Sequence, residues 1–279
     1  MPQIKSLTAL SDKTKPTSSQ RATMGTTYAQ LRGSRVRSAH DLVTHGIGRD
    51  IVDGNLAIGA TLPGDAELME RFGVSRTALR EGLKTLAAKG LIESKTKVGT
   101  RVLDPAHWNM FDADILAWRL DQGMDRPFLE RLFEIRQALE PLGAAAAALR
   151  RSKSDLERIK TAWAAMLRSN HTRESFTRAD LEFHRAVLIA SANPFLHSIG
   201  AVIETALASS FALSAPIDSP EHLAEVGRQH RAVLDAIAAR DPKDASRAMT
   251  AVILEGARGA GIRRSRAPTV EIAITLFGR

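Results

Sequence analysis

Glycines divide residues 38–104 into short segments, and the positions of these glycines restrict the fold more than any other feature of the chain. Each of the first three segments carries apolar residues at helical spacing and ends at Gly54, Gly73 or Gly90. Glycine accepts the left-handed backbone that closes a helix, so the chain can change direction after each segment. The predicted helices are Ser38–Asp53, Asp65–Phe72 and Ser75–Lys89.

Two short runs after the third helix have the composition of strands. Leu91–Ser94 and Thr100–Leu103 are predicted to pair as a hairpin around Lys95–Gly99. Three helices followed by a hairpin are typical of a winged helix-turn-helix. Beyond Pro127 nearly every segment has the helical period instead. The predicted fold class is therefore mainly α, with an N-terminal winged helix-turn-helix and a C-terminal all-α helical bundle.

The same patterns predict the division of the chain into parts. We expect a disordered leader (1–37), a winged helix (38–104), a linker (105–121), an all-helical effector-binding and dimerisation domain (122–264) and a tail (265–279). Trp108 and Trp118 in the linker predict a short helix that packs domain against domain. The chain has 279 residues, which is enough for two domains.

Charge and composition favour a polyanionic partner and a reducing compartment. The formal net charge is +8, and residues 1–104 hold 16 basic but only 10 acidic residues. A positive excess at one end suits nucleic acid, although basic surfaces often serve solubility alone. Cysteine is absent, which excludes disulfides and thiolate metal sites and fits the cytoplasm. No apolar run is long enough to span a membrane.

The start of the third predicted helix has the residue types that read DNA. Ser75, Arg76, Thr77 and Arg80 stand in its first turns, after the tight turn at Gly73. In a helix-turn-helix this end of the recognition helix meets bases and phosphates, and an arginine fork can bond both acceptors of guanine. The alternative is a solvated basic helix. The preceding turn and the basic hairpin that follows favour DNA reading.

The hairpin loop supplies a candidate wing. Lys97, Gly99 and Thr100 are predicted to contact the DNA backbone or the minor groove, because glycine allows close approach and lysine supplies charge. An ordinary turn with solvated lysines remains the alternative.

Three residues of the second domain could hold a metal ion. Asp180 and His184 lie four apart, on one face of a predicted helix, and His230 begins another apolar-striped stretch. One carboxylate and two imidazoles suit Zn²⁺ or a similar divalent ion, with positions left open. Spacing alone favours the alternative of two ordinary histidines, one of them salt-bridged to Asp180. A metal-dependent hydrolase is a rival reading, but it lacks a general base because Glu182 should face away.

The motifs of the first domain resemble the DNA-binding domain of the GntR family. The resemblance rests on Leu62–Leu68, Gly73–Glu81 and Leu86–Glu93. The family pattern has an arginine that contacts DNA where this chain has Ala66, which leaves more of the readout to the recognition helix and the wing. The second domain is similar to the all-helical effector domain of the FadR subfamily.

This resemblance implies the remaining partners. It implies a homodimer on operator DNA, a small carboxylate effector such as a sugar acid, and effector contacts from Arg136 and Asn193. It also implies a divalent metal, most simply zinc, on Asp180, His184 and His230, although the family's fourth ligand position holds Val252 here. For Arg136 the alternative is a helix-surface salt bridge to Glu140.

Overall fold

The computed structural model describes residues 38–95, 98–121, 126–168, 170–200, 215 and 219–262. The predicted leader and tail, Lys97 and part of the predicted helix after Pro194 lie outside them. The elements are α1 Ala39–Val52, α2 Asp65–Phe72, α3 Arg76–Ala88, β1 Ile92–Lys95, β2 Gly99–Val102, a 3-10 turn Pro105–His107, α4 Ala113–Asp121, α5 Arg126–Arg150, α6 Lys153–Met166, α7 Arg173–Ala190, α8 over residues 194–200, α9 Pro220–Ala238 and α10 Pro242–Gly259. The predicted fold class is confirmed.

Three helices and a hairpin form the first unit around one apolar core. β1 and β2 pair antiparallel, with Ile92 opposite Val102. The chain before α2 adds to the other side of β2, where Leu62 donates its N–H to the Thr100 carbonyl at 2.8 Å. The core side chains are Val43, Ile47, Ile51, Leu68, Leu79, Leu86, Leu91, Ile92 and Val102.

Local signals explain why these helices begin and end where they do. Ser38 and Asp41 form a capping box at the start of α1, each side chain accepting from the other's backbone N–H. Gly90 follows α3 with φ of 76°. A Cβ at Gly90 would lie 2.1 Å from the His107 carbonyl oxygen, so glycine is needed for its backbone angle and for space.

The linker helix α4 packs into the core of the winged helix. Trp118 lies against α1, where its indole Nε1–H donates to His45 Nδ1 at 3.0 Å. Trp108 and Ile115 belong to the same buried cluster. Gly48 makes the room for Trp118, because a Cβ there would lie 2.3 Å from the indole ring. The structure therefore places the linker tryptophans on the DNA-binding unit, whereas the sequence predicted packing between the domains.

Replacing Gly48 with alanine should destabilise the winged helix. The methyl group would collide with a buried indole, at a cost of about 1–3 kcal/mol, which exceeds the helix-propensity gain of about 1 kcal/mol at most. Chemical denaturation should show a lower free energy of unfolding, with red-shifted native tryptophan fluorescence. Gly256→Ala is the matched control, since its Cβ would meet other atoms only at 3.7 Å or more. Equal stability of the two variants would contradict the packing described.

The second unit is a helical bundle organised around the long helix α5. α5 packs on α10, α10 on α9, and α6 on α7. Its core includes Phe133, Ala144, Ala147, Ile159, Phe176, Phe183, Val187, Val233, Ile237, Met249 and Ile253. Within the described residues, no helix is both long and apolar enough to cross a membrane.

Two arginines tie the ends of α5 and α9 together. Arg151 donates to the carbonyls of Ile237 at 3.3 Å and Ala238 at 2.8 Å, at the end of α9. Arg240 donates in return to the Leu149 carbonyl at 3.0 Å, at the end of α5. Cations at helix C-termini satisfy the last carbonyls and complement the helix dipole. This exchange fixes the relative position of two helices that carry candidate site residues.

Candidate functional sites

The recognition helix presents its predicted DNA-reading residues to solvent. Ser75 is the N-cap of α3, and its Oγ accepts from the Ala78 N–H at 3.3 Å. Arg76, Thr77 and Arg80 follow in the first turns of α3, and all four predicted residues are exposed. A capped helix end that projects two arginines can enter a major groove and bond to bases and phosphates.

The structure describes the predicted hairpin and two of the three predicted wing residues. Gly99 has φ of 99°, and the Thr100 hydroxyl lies 2.9 Å from Ser94 Oγ across the hairpin. Lys97 lies outside the described residues. Arg101 donates through Nε and Nη2 to the Gly59 carbonyl at 3.1 and 2.9 Å, so this arginine holds the base of the wing.

The three candidate metal ligands converge in the bundle. Asp180 and His184 lie one turn apart on α7, His230 lies on α9, and their ligand atoms are within 4.8 Å of one another. Asp180 Oδ1 is 3.0 Å from His230 Nε2 and 3.5 Å from His184 Nε2. All three side chains are buried. Asp180 Oδ1 and His230 Nε2 make no hydrogen bond of regular geometry. Buried donor atoms that meet in this way fit a divalent cation.

A second layer of contacts orients both imidazoles. His230 Nδ1 lies 2.8 Å from the Val226 carbonyl, which requires a proton on Nδ1 and turns Nε2 toward Asp180. His184 Nδ1 lies 2.5 Å from Glu140 Oε2, a close ion-pair contact without the angles of a regular hydrogen bond. The other carboxylate oxygen, Oε1, accepts from Arg136 Nε at 2.7 Å. Glu140 was not predicted as a site residue. The sequence signal that could have identified Glu140 is its spacing of four residues from Arg136, which the sequence analysis interpreted as a surface ion pair.

Charges of opposite sign alternate through this cluster. Burial alone would raise the pKa of Glu140, but the Arg136 guanidinium and the His184 ring outweigh it and lower that pKa to about 2. Burial would likewise raise the pKa of Asp180, but the neighbouring His184 and His230 imidazoles outweigh it and hold that pKa well below its usual range. The Glu140 and Asp180 carboxylates overcome burial and raise the pKa of His184 to about 9. A metal ion at this site would need His184 in its neutral form, with Nε2 unprotonated.

A half-open pocket reaches this cluster from the surface. Val252 lies in the pocket wall, as its alignment with the family's fourth ligand implied. At the outer side, His222 Nε2 lies 3.8 Å from Glu255 Oε1. The residues that line the pocket are Arg136, Phe176, Asp180, His184, His222, Val226, Gln229, His230, Val252, Glu255, Gly256 and Gly259. The triad therefore lies beside an opening to the surface.

The two residues predicted to contact the effector, Arg136 and Asn193, have different surroundings in the structure. The pair Arg136–Glu140 exists, but both side chains are at least 95% buried, so the alternative of a surface salt bridge is wrong in location. Arg136 also lines the pocket. Asn193 is not among the described residues that line it. Its Oδ1 accepts from the backbone N–H groups of Phe195 and Leu196 at 3.0 and 3.4 Å, which is a helix-capping role.

A winged helix with an exposed basic helix end, joined to a bundle with a polar pocket, defines a ligand-responsive DNA-binding regulator. The profile "Bacterial regulatory proteins, gntR family" matches residues 41–102, and the profile "FCD domain" matches residues 131–255. The chain belongs to the GntR family and carries the FCD effector domain, as its resemblance implied.

Similar proteins cover most of the chain. The galactonate operon transcriptional repressor of Escherichia coli K12 is 34% identical over 218 residues, covering 78% of this chain and 95% of that protein. The Glc operon transcriptional activator of the same strain is 29% identical, covering 75% and 83%. NanR, a transcriptional repressor of Cronobacter sakazakii, is 31% identical, covering 69% and 74%. The solved structure of Lar from Listeria monocytogenes has a TM-score of 0.55 at 19% identity, covering 83% and 100%, which shows similarity of fold.

The family and these relatives are transcription regulators, so the chain is a metabolite-responsive DNA-binding regulator and not an enzyme. The hydrolase reading has no support among them. Glu182 faces away from the metal candidates, as expected; it is exposed and pairs with Arg185 at 3.1 Å.

Proposed function

We propose that this protein is a homodimeric repressor whose operator affinity changes when a sugar acid binds beside a divalent metal ion in the bundle. The observation that carries the proposal is the convergence of Asp180, His184 and His230 at the inner end of an open pocket. The name of the galactonate operon repressor favours a sugar acid as effector class. We expect the protein to act in the cytoplasm, because that is where a bacterial regulator would meet operator DNA.

Asp180 Oδ1 and the Nε2 atoms of both histidines are the donors that we assign to the metal. Two nitrogens and one carboxylate oxygen suit zinc, and three protein ligands leave a position open. When bound, the ion would offer that position to carboxylate and hydroxyl oxygens of the effector. Val252 in the pocket wall supplies no fourth donor.

Arg136 is the residue that we assign to the effector's carboxylate. Its Nη1 lies 3.9 Å from the place of a Cβ on Gly256, so this end of the guanidinium borders the pocket while Nε holds Glu140. A guanidinium is the side chain best suited to grip a carboxylate. The absence of a side chain on Gly256 keeps that approach open.

On the DNA side, we propose that two copies place α3 in successive major grooves of a near-palindromic operator. Ser75, Arg76, Thr77 and Arg80 would read the groove, while Lys97, Gly99 and Thr100 would lie on the backbone. A two-fold dimer calls for two-fold DNA. The effector can act only if it binds the DNA-competent and DNA-incompetent arrangements with different affinity.

A thermal-shift screen of the full chain tests the proposal. Sugar acids, short 2-hydroxy acids and fatty acyl compounds would be compared with and without chelator. At 100 times its Kd, a ligand stabilises by about 2.7 kcal/mol, which corresponds to a shift of roughly 5–10 °C. We expect this shift for a sugar acid, its loss on chelation or in His184→Ala, and its retention in His197→Gln, an exposed histidine of the same domain.

Two further measurements complete that test. Sedimentation should show a dimer, and the stabilising acid should release an operator selected from random DNA. Shifts that survive complete chelation would contradict the metal's part in the proposal. Shifts with fatty acyl compounds alone would contradict the effector class.

A further inference from the structure

We propose that Glu140 is a positioning residue of the metal centre: held by Arg136, it fixes the His184 ring with Nδ1 toward α5 and Nε2 toward Asp180 and His230. This inference rests on the proposed function, because it concerns the same metal site. It adds a residue outside the three ligands and gives Arg136 a second task besides effector binding.

The short contact between His184 and Glu140 sets the position of a proton. A carboxylate oxygen 2.5 Å from an imidazole nitrogen repels its lone pair unless a proton lies between them. Nδ1 of His184 must therefore carry the proton, and Nε2 is the atom that can coordinate. Nε2 is also the nitrogen that faces Asp180 Oδ1, at 3.5 Å. The contact thus selects the tautomer that the metal site requires.

Arg136 fixes the carboxylate itself. Its Nε donates to Oε1 of Glu140 at 2.7 Å, one turn away on α5, and leaves Oε2 for His184. Both side chains are buried, so neither can rotate into water without losing its partner. A buried ion pair is tolerated when its geometry is good and its remaining polar atoms are used. Here the second oxygen makes a close ion-pair contact with His184, a candidate metal ligand on another helix.

His230 shows the same arrangement with a weaker partner. Its Nδ1 is held by the Val226 carbonyl one turn back on α9, at 2.8 Å. Both imidazoles are therefore turned with Nε2 inward, but only His184 is turned by a charged group. Because Val252 provides no fourth ligand, the site depends on the orientation of three, and we expect the loss of Glu140 to lower metal affinity by about 10- to 100-fold.

The test is the zinc affinity of Glu140→Gln, measured on the full chain by competition with a chromophoric chelator. Glutamine keeps the size and one acceptor oxygen but loses the charge. The matched control is Glu134→Gln, an exposed position on the same helix. We expect weaker zinc binding by about 10- to 100-fold for Glu140→Gln, an altered absorption spectrum of bound Co²⁺, and wild-type values for the control. Unchanged zinc affinity and Co²⁺ spectrum in a folded Glu140→Gln would overturn the inference.

A second measurement does not depend on the folding of any variant. Nitrogen NMR of the zinc-loaded wild-type protein should show His184 with its proton on Nδ1 and the metal on Nε2. A metal on Nδ1 would overturn the inference while leaving the three-ligand site intact. If the wild-type chain binds neither zinc nor cobalt, the metal site itself fails, and the role of Glu140 falls with it.

Discussion

Replacing Arg76 with alanine is expected to weaken binding to the selected operator by about 1–3 kcal/mol, or about 5- to 150-fold. Arg76 is the first residue of α3, exposed, and adjacent to the Ser75 cap that positions the helix end. An arginine fork that bonds one guanine also rejects other bases at that position. Fluorescence anisotropy on the operator and on single-base variants should therefore show lost affinity and lost discrimination at one base pair.

The control for Arg76 is Arg178→Ala, which removes an exposed arginine from the other domain, where it pairs with Glu174. This variant should bind operator as the wild type does. If Arg76→Ala lost equal affinity on operator and on random DNA, the residue would contact phosphate alone. Base reading would then have to come from Arg80 or the wing.

Introducing histidine at Val252 is expected to tighten zinc binding by about tenfold or more, because four protein ligands complete the tetrahedral shell of a closed site. Val252 is buried on α10 and lines the same pocket as Asp180 and His230. The added ligand would also occupy the position that we assign to the effector. The variant should therefore hold zinc more firmly and respond less to the stabilising acid.

Val252→Leu is the control that distinguishes the effect of a new ligand atom from the effect of added side-chain volume. Leucine enlarges the side chain in the pocket wall but offers no donor atom. The zinc affinity of this variant should therefore stay near the wild-type value even if the acid binds less well. Chelator competition measures the first quantity, and thermal shift the second. Zinc affinity in Val252→His equal to that in Val252→Leu would show that position 252 does not reach the coordination shell.

Most local structure could be predicted from the sequence, because its causes lie within a few residues. The left-handed stops at Gly73 and Gly90 appear where the pattern puts them, and serine caps at Ser38 and Ser75 begin two of the predicted helices. The i,i+4 spacing of Asp180 and His184 likewise fixes their common face on α7. The exposed helix end that carries Arg76 follows from the same local signals.

Contacts between distant segments required the tertiary structure. Spacing showed that Arg136 and Glu140 are neighbours on α5, but burial depends on α7 and α10, which lie far away in sequence. For Asn193 the structure adds a helix-capping role that the sequence analysis did not include, and its effector contact stays a prediction.

The winged helix shows the same division between local signals and tertiary contacts. Its helices and hairpin follow from glycines and apolar periods within residues 38–104, whereas Trp118 joins its core from α4 because Gly48 leaves the space. Periodicity identifies the face that an element buries. The partner of that face is decided by the packing of the whole chain, and at Glu140 that packing brings a carboxylate to His184.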